Sequence, residues 1–292
     1  MKPEWLSVKP IKSGKYEEVR NTLLSLGINT VCTEARCPNL DECWSSGTAT
    51  FMVMGEICTR GCRFCSVSKM ARGTSLDKSE PERIAEAVRR WGLSYVVITS
   101  VCRDDLEDQG SRHFAECIKR VKEKNPGTIV EVLIPDFQGK RELIENIIEA
   151  GPEVIGHNVE TVRRLSKHIR DRRADYDRSI GVLKYVKDAC KKIYTKSAIM
   201  LGLGERREEV ISTMKDLRSA GVDFLCIGQY LRPSKFQAEV KEYIEPRVFE
   251  EYKKIGIDMG FRYVASAPFV RSSYKAGEMF AESLAQRSKF QE

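Results

Sequence analysis

TFMVMGEICTRGCRFC, residues 50–65, joins a short apolar run to three closely spaced cysteines. The run 50–57 is almost continuously apolar, which is typical of a strand that is covered on both faces. Cys58, Cys62 and Cys65 follow it with the spacing C-x3-C-x2-C. The stretch therefore predicts a buried strand whose carboxyl end leads directly into a loop of three thiols.

The same kind of apolar run recurs along the chain, with amphipathic segments between the runs. In one of these segments Val210, Met214 and Leu217 form an apolar stripe, and Gly221 ends the helix. The strand candidates are 50–57, 95–101, 128–134, 152–160, 194–201, 224–231 and 261–267. A serial strand–helix pattern predicts an α/β fold with parallel strands and right-handed crossovers.

Six strand–helix units, rather than eight, predict a partial (β/α)6 TIM-like barrel that stays open. In barrels of this type ligands gather at the carboxyl ends of the strands, which places the loop after residue 57 at the barrel mouth. We divide the chain into an N-terminal extension (1–50), the partial barrel (51–267) and a C-terminal segment (268–292).

The extension carries another cysteine triplet, Cys32, Cys37 and Cys43, with the spacing C-x4-C-x5-C; in chain order this is the first triplet, and that of residues 58–65 is the second. A closed structural metal site takes four protein ligands, so each set of three leaves one coordination position open. Two such sets indicate two iron–sulfur clusters. A disulfide framework fits poorly because the other four cysteines are scattered, and zinc sites usually repeat C-x2-C pairs.

Composition sets wider bounds on the function. The 292 residues are 41% hydrophobic and 31% charged, as in an ordinary globular enzyme. No apolar run is long enough for a membrane span, and the first residues resemble neither a signal nor a transit peptide, so we expect a cytoplasmic protein. The net charge of +7 favours an acidic partner, but no nucleic-acid-binding module is evident. The densest basic run, 163–173, fits either a solvated helix face or a docking patch.

CTRGCRFC (58–65) resembles the signature of radical S-adenosylmethionine enzymes. The resemblance implies a 4Fe-4S cluster on Cys58, Cys62 and Cys65, whose open iron binds S-adenosylmethionine and whose reduction generates a 5′-deoxyadenosyl radical. Phe64 matches the family's aromatic neighbour of the adenine, although a core aromatic is the alternative interpretation.

VCTEARCPNLDECW (31–44) and RSSYKA (271–276) narrow this resemblance to the lipoyl synthase family, and it extends over about residues 30–280. The resemblance implies that two sulfur atoms are inserted at carbons 6 and 8 of a protein-bound octanoyl-lysine. An auxiliary 4Fe-4S cluster on the first triplet would be the sulfur donor. The implied partners are an octanoylated lipoyl carrier domain or glycine-cleavage H protein, an electron donor such as ferredoxin or flavodoxin, and an iron–sulfur carrier that rebuilds the cluster.

The resemblance also implies a weak fourth ligand of the auxiliary cluster. The family uses a serine of RSSY, here Ser273, with Ser272 as the second choice, and the C-terminal segment would then close over this cluster. Taken alone, the motif would be a helix N-cap before residues 276–284.

The resemblance also implies contacts with S-adenosylmethionine from residues at the ends of strands. Asn158 and Glu160 match positions expected to hold its methionyl and ribose parts. Gly202, Gly204 and Glu205 follow the fifth strand, where glycine permits close backbone approach.

Gln229 and Arg232, at the end of the sixth strand, are expected to contact cofactor or substrate. For the run 103–105, an internal ion pair and a substrate-orienting role remain equally open. His157 is expected to be structural.

The sequence departs from the family pattern at Cys102, where an acidic residue or Asn is usual, and at Gly156, Val159 and Ala267. We predict that Cys102 is a bystander thiol. Two alternative functions remain: another radical S-adenosylmethionine enzyme that inserts sulfur, and a non-catalytic iron–sulfur carrier.

Overall fold

The computed structural model describes residues 2–7 and 13–289. The strands are β1 (Thr50–Val53), β2 (Ile57–Cys58), β3 (Ser68–Lys69), β4 (Tyr95–Ser100), β5 (Ile129–Leu133), β6 (Val154–Gly156), β7 (Tyr194–Leu201), β8 (Phe224–Gln229) and β9 (Tyr263–Ser266). The helices are α1 (Gly14–Leu26), α2 (Val31–Glu34), α3 (Leu40–Ser45), α4 (Glu80–Trp91), α5 (Ser111–Lys124), α6 (Arg141–Glu149), α7 (Arg163–Ile169), α8 (Tyr176–Ala189), α9 (Arg207–Ser219), α10 (Pro246–Asp258) and α11 (Ala276–Lys289). Short 3-10 turns occupy Glu4–Leu6 and Phe137–Gly139.

Seven strands form one parallel sheet in the order β1-β4-β5-β6-β7-β8-β9. Each of the seven runs expected from the sequence supplies one of them, in chain order, and every pairing is parallel. Within the described residues β1 and β9 do not pair with each other, so the barrel is open. The prediction of a partial barrel with six strand–helix units is confirmed, and β9 completes it.

The first strand is shorter than the sequence suggested. The structure ends β1 at Val53, whereas the apolar run continues to residue 57. Met54 and Gly55 have φ values of 69° and 85°, which turn the backbone out of the sheet. This turn carries the chain away from the core and into the cysteine loop.

The amino ends of the strands are covered by the C-terminal helix α11. Phe280 lies 5.7 Å from the ring of Tyr95 and 5.4 Å from that of Tyr194, measured between ring centroids. Above these rings, inside the barrel, Lys196 Nζ contacts both carboxylate oxygens of Glu131 at 2.9 and 3.0 Å. The barrel is therefore filled at this end, and its open end is the one where the cysteine loops lie.

The N-terminal extension packs beside β1. Thr30 forms an antiparallel bridge with Phe51, and Met52 N–H donates to the Asn29 carbonyl at 2.9 Å. These contacts cover the edge strand and hold α2 and α3 near the barrel mouth. Among the described residues, no helix has both the length and the apolar character needed to cross a bilayer.

Candidate functional site

A cavity of about 530 Å³ opens at the carboxyl ends of the strands. Its size is in the range of small-molecule sites in proteins. The predicted site residues that line it are Cys32, Cys37, Cys58, Cys62, Phe64, Cys65, Asn158, Glu160, Gln229, Arg232, Ser272 and Ser273. The structure thus brings cysteines of both triplets and the RSSY serines to one space.

Backbone N–H groups are directed at the sulfur atoms of the second triplet. Cys58 Sγ accepts hydrogen bonds from the N–H groups of Arg60 and Cys102, each at 3.4 Å. Cys62 Sγ accepts from Asp171 N–H at 3.3 Å. Such donors stabilise thiolates and tune the iron–sulfur clusters that thiolates hold.

The pKa values of these three thiols differ because their surroundings differ. A hydrogen bond from the Cys102 thiol, helped by the backbone N–H groups, lowers the pKa of Cys58 to about 6. Burial raises the pKa of Cys62 to about 11 and that of Cys65 to about 12. Buried thiolates are stable only beside a compensating positive charge, and iron of a cluster supplies one. The donor set therefore fits an iron–sulfur cluster.

Arg60, inside the cysteine loop, anchors that loop to the barrel. Its guanidinium donates to both carboxylate oxygens of Asp104, at 2.9 and 2.8 Å, and contacts Asp136 at 2.6 Å. All three side chains are buried. A bidentate buried pair of this kind fixes the orientation of the loop that carries Cys58 and Cys62.

Asp171 holds the other side of the loop. Its carboxylate accepts from Gly61 N–H at 2.6 Å, while its own N–H is the donor to Cys62. Sequence reasoning missed both Arg60 and Asp171. Their partners lie 44 and 110 residues away, and no local pattern marks such contacts.

The first triplet is held by two short helices. Thr30 caps α2, which carries Cys32, and Cys37 N–H donates to the Cys32 carbonyl at 3.0 Å. Cys43 lies on α3, one turn after Asn39, whose carbonyl accepts from Cys43 N–H at 2.9 Å. The three thiols converge although only Cys32 and Cys37 line the cavity.

Burial raises the pKa of Cys32 to about 11 and that of Cys43 to about 12, and the pKa of Cys37 is also raised. The neighbouring thiols of the triplet add to the rise for Cys32 and Cys43, because like charges repel. Three buried thiols this close to one another are better suited to binding a metal cluster than to remaining without a ligand.

The C-terminal segment lies across the end of β8 and against the extension. A Cβ atom on Gly228 would lie 2.0 Å from the Val270 carbonyl oxygen, so only glycine permits this crossing. Asn39 Nδ2 donates to the Phe269 carbonyl at 2.8 Å, and Tyr274 OH donates to Glu42 at 2.9 Å. These contacts keep Ser272 and Ser273 at the cavity beside the first triplet.

Asn158 and Glu160 carry two signs of a ligand site. Asn158 Oδ1 is buried without a hydrogen-bond partner, which is rare for a polar atom unless something else binds it. Glu160 has a φ of 68°, a strained conformation that is enriched at functional sites. Burial raises the pKa of Glu160, opposed by Arg170 and by a hydrogen bond from Asn158.

The loop after β7 binds mainly to itself. Glu205 accepts from the N–H groups of Gly202 and Leu203 at 2.5 and 2.9 Å. Gly202 has a φ of 97°, and a Cβ there would meet Gln229 Nε2 at 2.2 Å. The close approach that glycine permits is therefore made by the Gln229 amide, and neither Gly202, Gly204 nor Glu205 lines the cavity.

Gln229 and Arg232 both line the cavity but are also engaged with the backbone. Gln229 Nε2 lies within hydrogen-bond distance of three carbonyl oxygens, including that of Leu201 at 3.1 Å, to which its two N–H groups donate, and its Oε1 accepts from Ile244 N–H at 2.8 Å. Arg232 donates to the carbonyls of the loop that follows it. Phe64 lines the cavity and also packs on the apolar core. Its position is therefore consistent both with a neighbour of the adenine and with a core aromatic.

The polar run after β4 forms internal ion pairs. Arg103 binds Asp105 at 2.9 Å, and Asp104 binds Arg60. His157 has partners on both ring nitrogens, the Ile134 carbonyl and Ser179 Oγ, each at 2.9 Å. These contacts favour internal ion pairs for residues 103–105 and a structural role for His157.

A third group of ligand-type side chains, Glu80, His113 and Cys117, lies outside the cavity between α4 and α5. His113 Nε2 and Glu80 Oε2 are 2.6 Å apart, and the same oxygen accepts from Met54 N–H at 2.9 Å. Two ligands on one tetrahedral zinc would be about 3.3 Å apart. The shorter separation is that of a hydrogen bond, which indicates a structural role.

Comparison with known proteins agrees with this geometry. Residues 52–217 match the family model of the radical SAM superfamily. Lipoyl synthase of Halobacterium salinarum is 50% identical over 99% of this chain and 94% of its own length. Lipoyl synthase of Caldicellulosiruptor saccharolyticus is 54% identical over 95% of this chain and 96% of its own length.

Among solved structures, methylornithine synthase matches 88% of this chain and 86% of its own, with a TM-score of 0.55 at 14% identity. Streptococcus suis SuiB bound to S-adenosylmethionine matches 79% of this chain and 54% of its own, with a TM-score of 0.58 at 13% identity. At these identities the two structures support the fold alone.

Proposed function

The chain belongs to the lipoyl synthase family of the radical S-adenosylmethionine superfamily, and from that premise we propose that it inserts sulfur at carbons 6 and 8 of a protein-bound octanoyl-lysine. Members of this family are sulfurtransferases. The observation that carries the proposal is that cysteines of both triplets, with the RSSY serines, line a single cavity.

Two 4Fe-4S clusters are assigned to the two triplets. Cys58, Cys62 and Cys65 would hold one of them. Cys32, Cys37 and Cys43 would hold the auxiliary cluster together with Ser273, for which Ser272 is the alternative. When bound, the first cluster would supply the electron that cleaves S-adenosylmethionine to a radical, and the auxiliary cluster would supply sulfur.

Asn158 and Glu160 are assigned to S-adenosylmethionine because the orphaned Asn158 oxygen and the half-buried Glu160 carboxylate can both accept hydrogen bonds. Phe64, between two cluster cysteines and on the cavity wall, would pack against the adenine. Gln229 and Arg232 would shape this part of the wall. Gly202 and Glu205 would contribute indirectly, because the loop that contains them supports the Gln229 side chain.

The rest of the cavity wall suits an alkyl chain. Met52, Val101, Leu133, Ile134 and Met200 line it. An octanoyl chain can lie against such side chains away from water, which would protect a reactive alkyl radical from side reactions. The partial barrel supplies these side chains from four different strands or their ends, so their positions are fixed by the sheet.

We place the partners at the mouth, because the opposite end is filled by α11. They are an octanoylated lipoyl carrier domain or H protein, an electron donor such as ferredoxin or flavodoxin, and an iron–sulfur carrier for rebuilding the auxiliary cluster. None of the ten cysteines forms a disulfide, and thiols persist in reducing compartments, which supports a cytoplasmic location.

The test is an anaerobic reaction of reconstituted protein with S-adenosylmethionine, dithionite and an octanoyl-lysyl peptide, followed by mass spectrometry. We expect a lipoyl-lysyl product and 5′-deoxyadenosine. Cys43→Ala should abolish the lipoyl product and retain 5′-deoxyadenosine. The matched control Cys190→Ala, at the end of α8 and away from the cavity, should behave as wild type.

Sulfur insertion by Cys43→Ala would contradict the assignment of the first triplet. Cleavage of S-adenosylmethionine by the wild type without any sulfur insertion, with both clusters present and with the intact carrier supplied, would contradict the proposed substrate. Absence of cleavage under the same conditions would favour a non-catalytic iron–sulfur carrier.

A further inference from the structure

Two large exposed apolar side chains that sulfur insertion does not use are close in sequence to residues of the cavity wall, Met70 next to Lys69 and Phe236 three residues after Pro233. Phe236, on the loop after β8, is 84% exposed, more than any other large apolar side chain in the described part of the chain. Met70, just after β3, is 62% exposed. A single exposed apolar side chain is common on protein surfaces, so the surroundings of these two side chains decide whether they mark a binding site.

Both side chains flank the loop that carries Cys58, Cys62 and Cys65. Met70 N–H donates to the Cys58 carbonyl at 3.2 Å. On the other side, Ala238 N–H, two residues from Phe236, donates to the Arg63 carbonyl at 2.7 Å. Phe236 and Met70 are thus held by backbone hydrogen bonds at the two borders of one loop.

The two segments that carry these side chains are basic, and the next acidic residue after Phe236, Glu239, is paired with Lys241 at 3.2 Å. Residues 63–72 and 231–238 contain no Asp or Glu. We define the mouth surface as Arg63, Lys69, Met70, Arg72, Lys235 and Phe236. In the described part of the chain, none of its four cations forms an ion pair with a carboxylate, although many surface cations elsewhere do.

Acidic groups near the mouth do not offset this charge. Asp171, which contacts the cysteine loop, is already paired with Arg173 at 2.8 Å. Glu34 and Glu56 lie closer to the mouth surface: the Glu34 carbonyl accepts from Ser66 Oγ at 2.6 Å, and Glu56 precedes β2, which pairs with β3. Among the described residues, neither carboxylate forms an ion pair with a cation of the mouth surface. The mouth surface therefore presents unpaired positive charge around two apolar side chains.

The densest basic run of the sequence is not part of this surface. Arg163 pairs with Asp177, and Arg164 pairs with Glu209 at 2.6 Å. Arg170 is buried and donates to Ser179 Oγ. The structure thus favours internal pairing for most of this run, although Lys167 and Arg172 are exposed and form no ion pair with a described carboxylate.

We propose that the mouth surface docks the folded carrier protein through an acidic face around its octanoyl-lysine, with Phe236 and Met70 as apolar anchors. This inference rests on the proposed function, which requires a lysine-tethered chain to enter the cavity. The tether is short, so the protein that bears it lies against the rim. Apolar anchors surrounded by complementary charge are the usual composition of such an interface.

The test measures the Kd between reconstituted protein and an octanoylated lipoyl carrier domain whose surface around the modified lysine is acidic. Phe236→Ala should raise the Kd about tenfold. Lys235→Glu should raise it and should reduce its dependence on salt concentration. The matched controls are Ile257→Ala, at a side chain 53% exposed on α10, and Lys254→Glu on the same helix. Both controls should bind as tightly as wild type.

Replacing the carrier's acidic residues by amides should weaken its binding to the wild-type enzyme. With that altered carrier, Lys235→Glu in the enzyme should raise the Kd little further. Wild-type affinity in Phe236→Ala and Lys235→Glu, with iron content and melting temperature unchanged, would overturn the docking surface. Equal weakening by the α10 controls would overturn it too, as would binding of the same residues to anionic lipid vesicles in preference to the carrier. Lipoyl formation by wild type on the short peptide is scored separately, so failure of the proposed function is distinguishable from failure of the docking surface.

Discussion

The buried ion pair between Lys196 and Glu131 allows a quantitative prediction about the barrel. Each side chain is only 2% exposed, and Tyr95 OH also donates to the Glu131 carboxylate at 2.6 Å. Lys196→Met keeps the length of the side chain but leaves Glu131 without its cation. Removing one partner of a buried pair costs about 3–5 kcal/mol, because the remaining charge is uncompensated. We expect the free energy of unfolding to fall by that amount.

The double variant Lys196→Met with Glu131→Gln separates the lost attraction from the uncompensated charge. It removes both charges at similar volume, so we expect it to be within about 2 kcal/mol of wild type. The matched control is Lys184→Met, which breaks an exposed pair with Asp188 and should cost less than about 1 kcal/mol.

The assay is anaerobic urea unfolding of proteins reconstituted to the same iron content, with midpoints compared at a common slope. A loss below about 1 kcal/mol for Lys196→Met would refute the reasoning that the charge is uncompensated. If the double variant were as unstable as the single variant, the lost stability would come from altered packing and not from an uncompensated charge.

Three further predictions concern the site and its surroundings. Cys102→Ser should leave iron per chain unchanged, because serine keeps the backbone N–H that donates to Cys58 Sγ and replaces the thiol by a hydroxyl that can also donate; loss of one cluster's iron would show that the thiol is a ligand. Ser273→Ala should lose lipoyl formation and retain 5′-deoxyadenosine formation, whereas Ser272→Ala should retain both; the opposite pattern would assign Ser272. Burial lowers the pKa of His157 to about 4, so between pH 6.5 and 4 the unfolded chain binds a proton that the folded chain does not. Stability should therefore fall with decreasing pH by up to about 1.4 kcal/mol per unit from this group, and urea titrations of His157→Gln should lack this contribution.

The fold could be predicted from sequence because its signals are local. All seven strands of the sheet were expected, since each is a short apolar run between amphipathic helices. Their ends were less predictable: the apolar run 50–57 continues beyond Val53, where the left-handed Met54 and Gly55 turn the backbone. Hydrophobicity does not encode such a turn.

The site was only partly predictable because much of it is built from distant contacts. The cysteines were evident from spacing, and five of the six line one cavity. The N–H donor of Asp171 and the anchor formed by Arg60 with Asp136 depend on segments that meet only in the folded barrel. The loop of Gly202 and Glu205 shows the converse, since residues expected to face a ligand are bonded to their own backbone.

The two ends of the barrel explain why the mouth surface matters for function. At the amino ends of the strands, the rings of Phe280, Tyr95 and Tyr194 and the buried Lys196–Glu131 pair fill the interior of the barrel. A substrate therefore enters from the opposite end. At that end the N-terminal extension and the C-terminal segment are tied to each other through Asn39 and Tyr274, which closes one side of the opening. The side that remains is bordered by the cysteine loop and the loop of Phe236. A carrier protein that delivers a tethered chain to both triplets must therefore contact this border, and the exposed apolar and unpaired basic side chains lie on it.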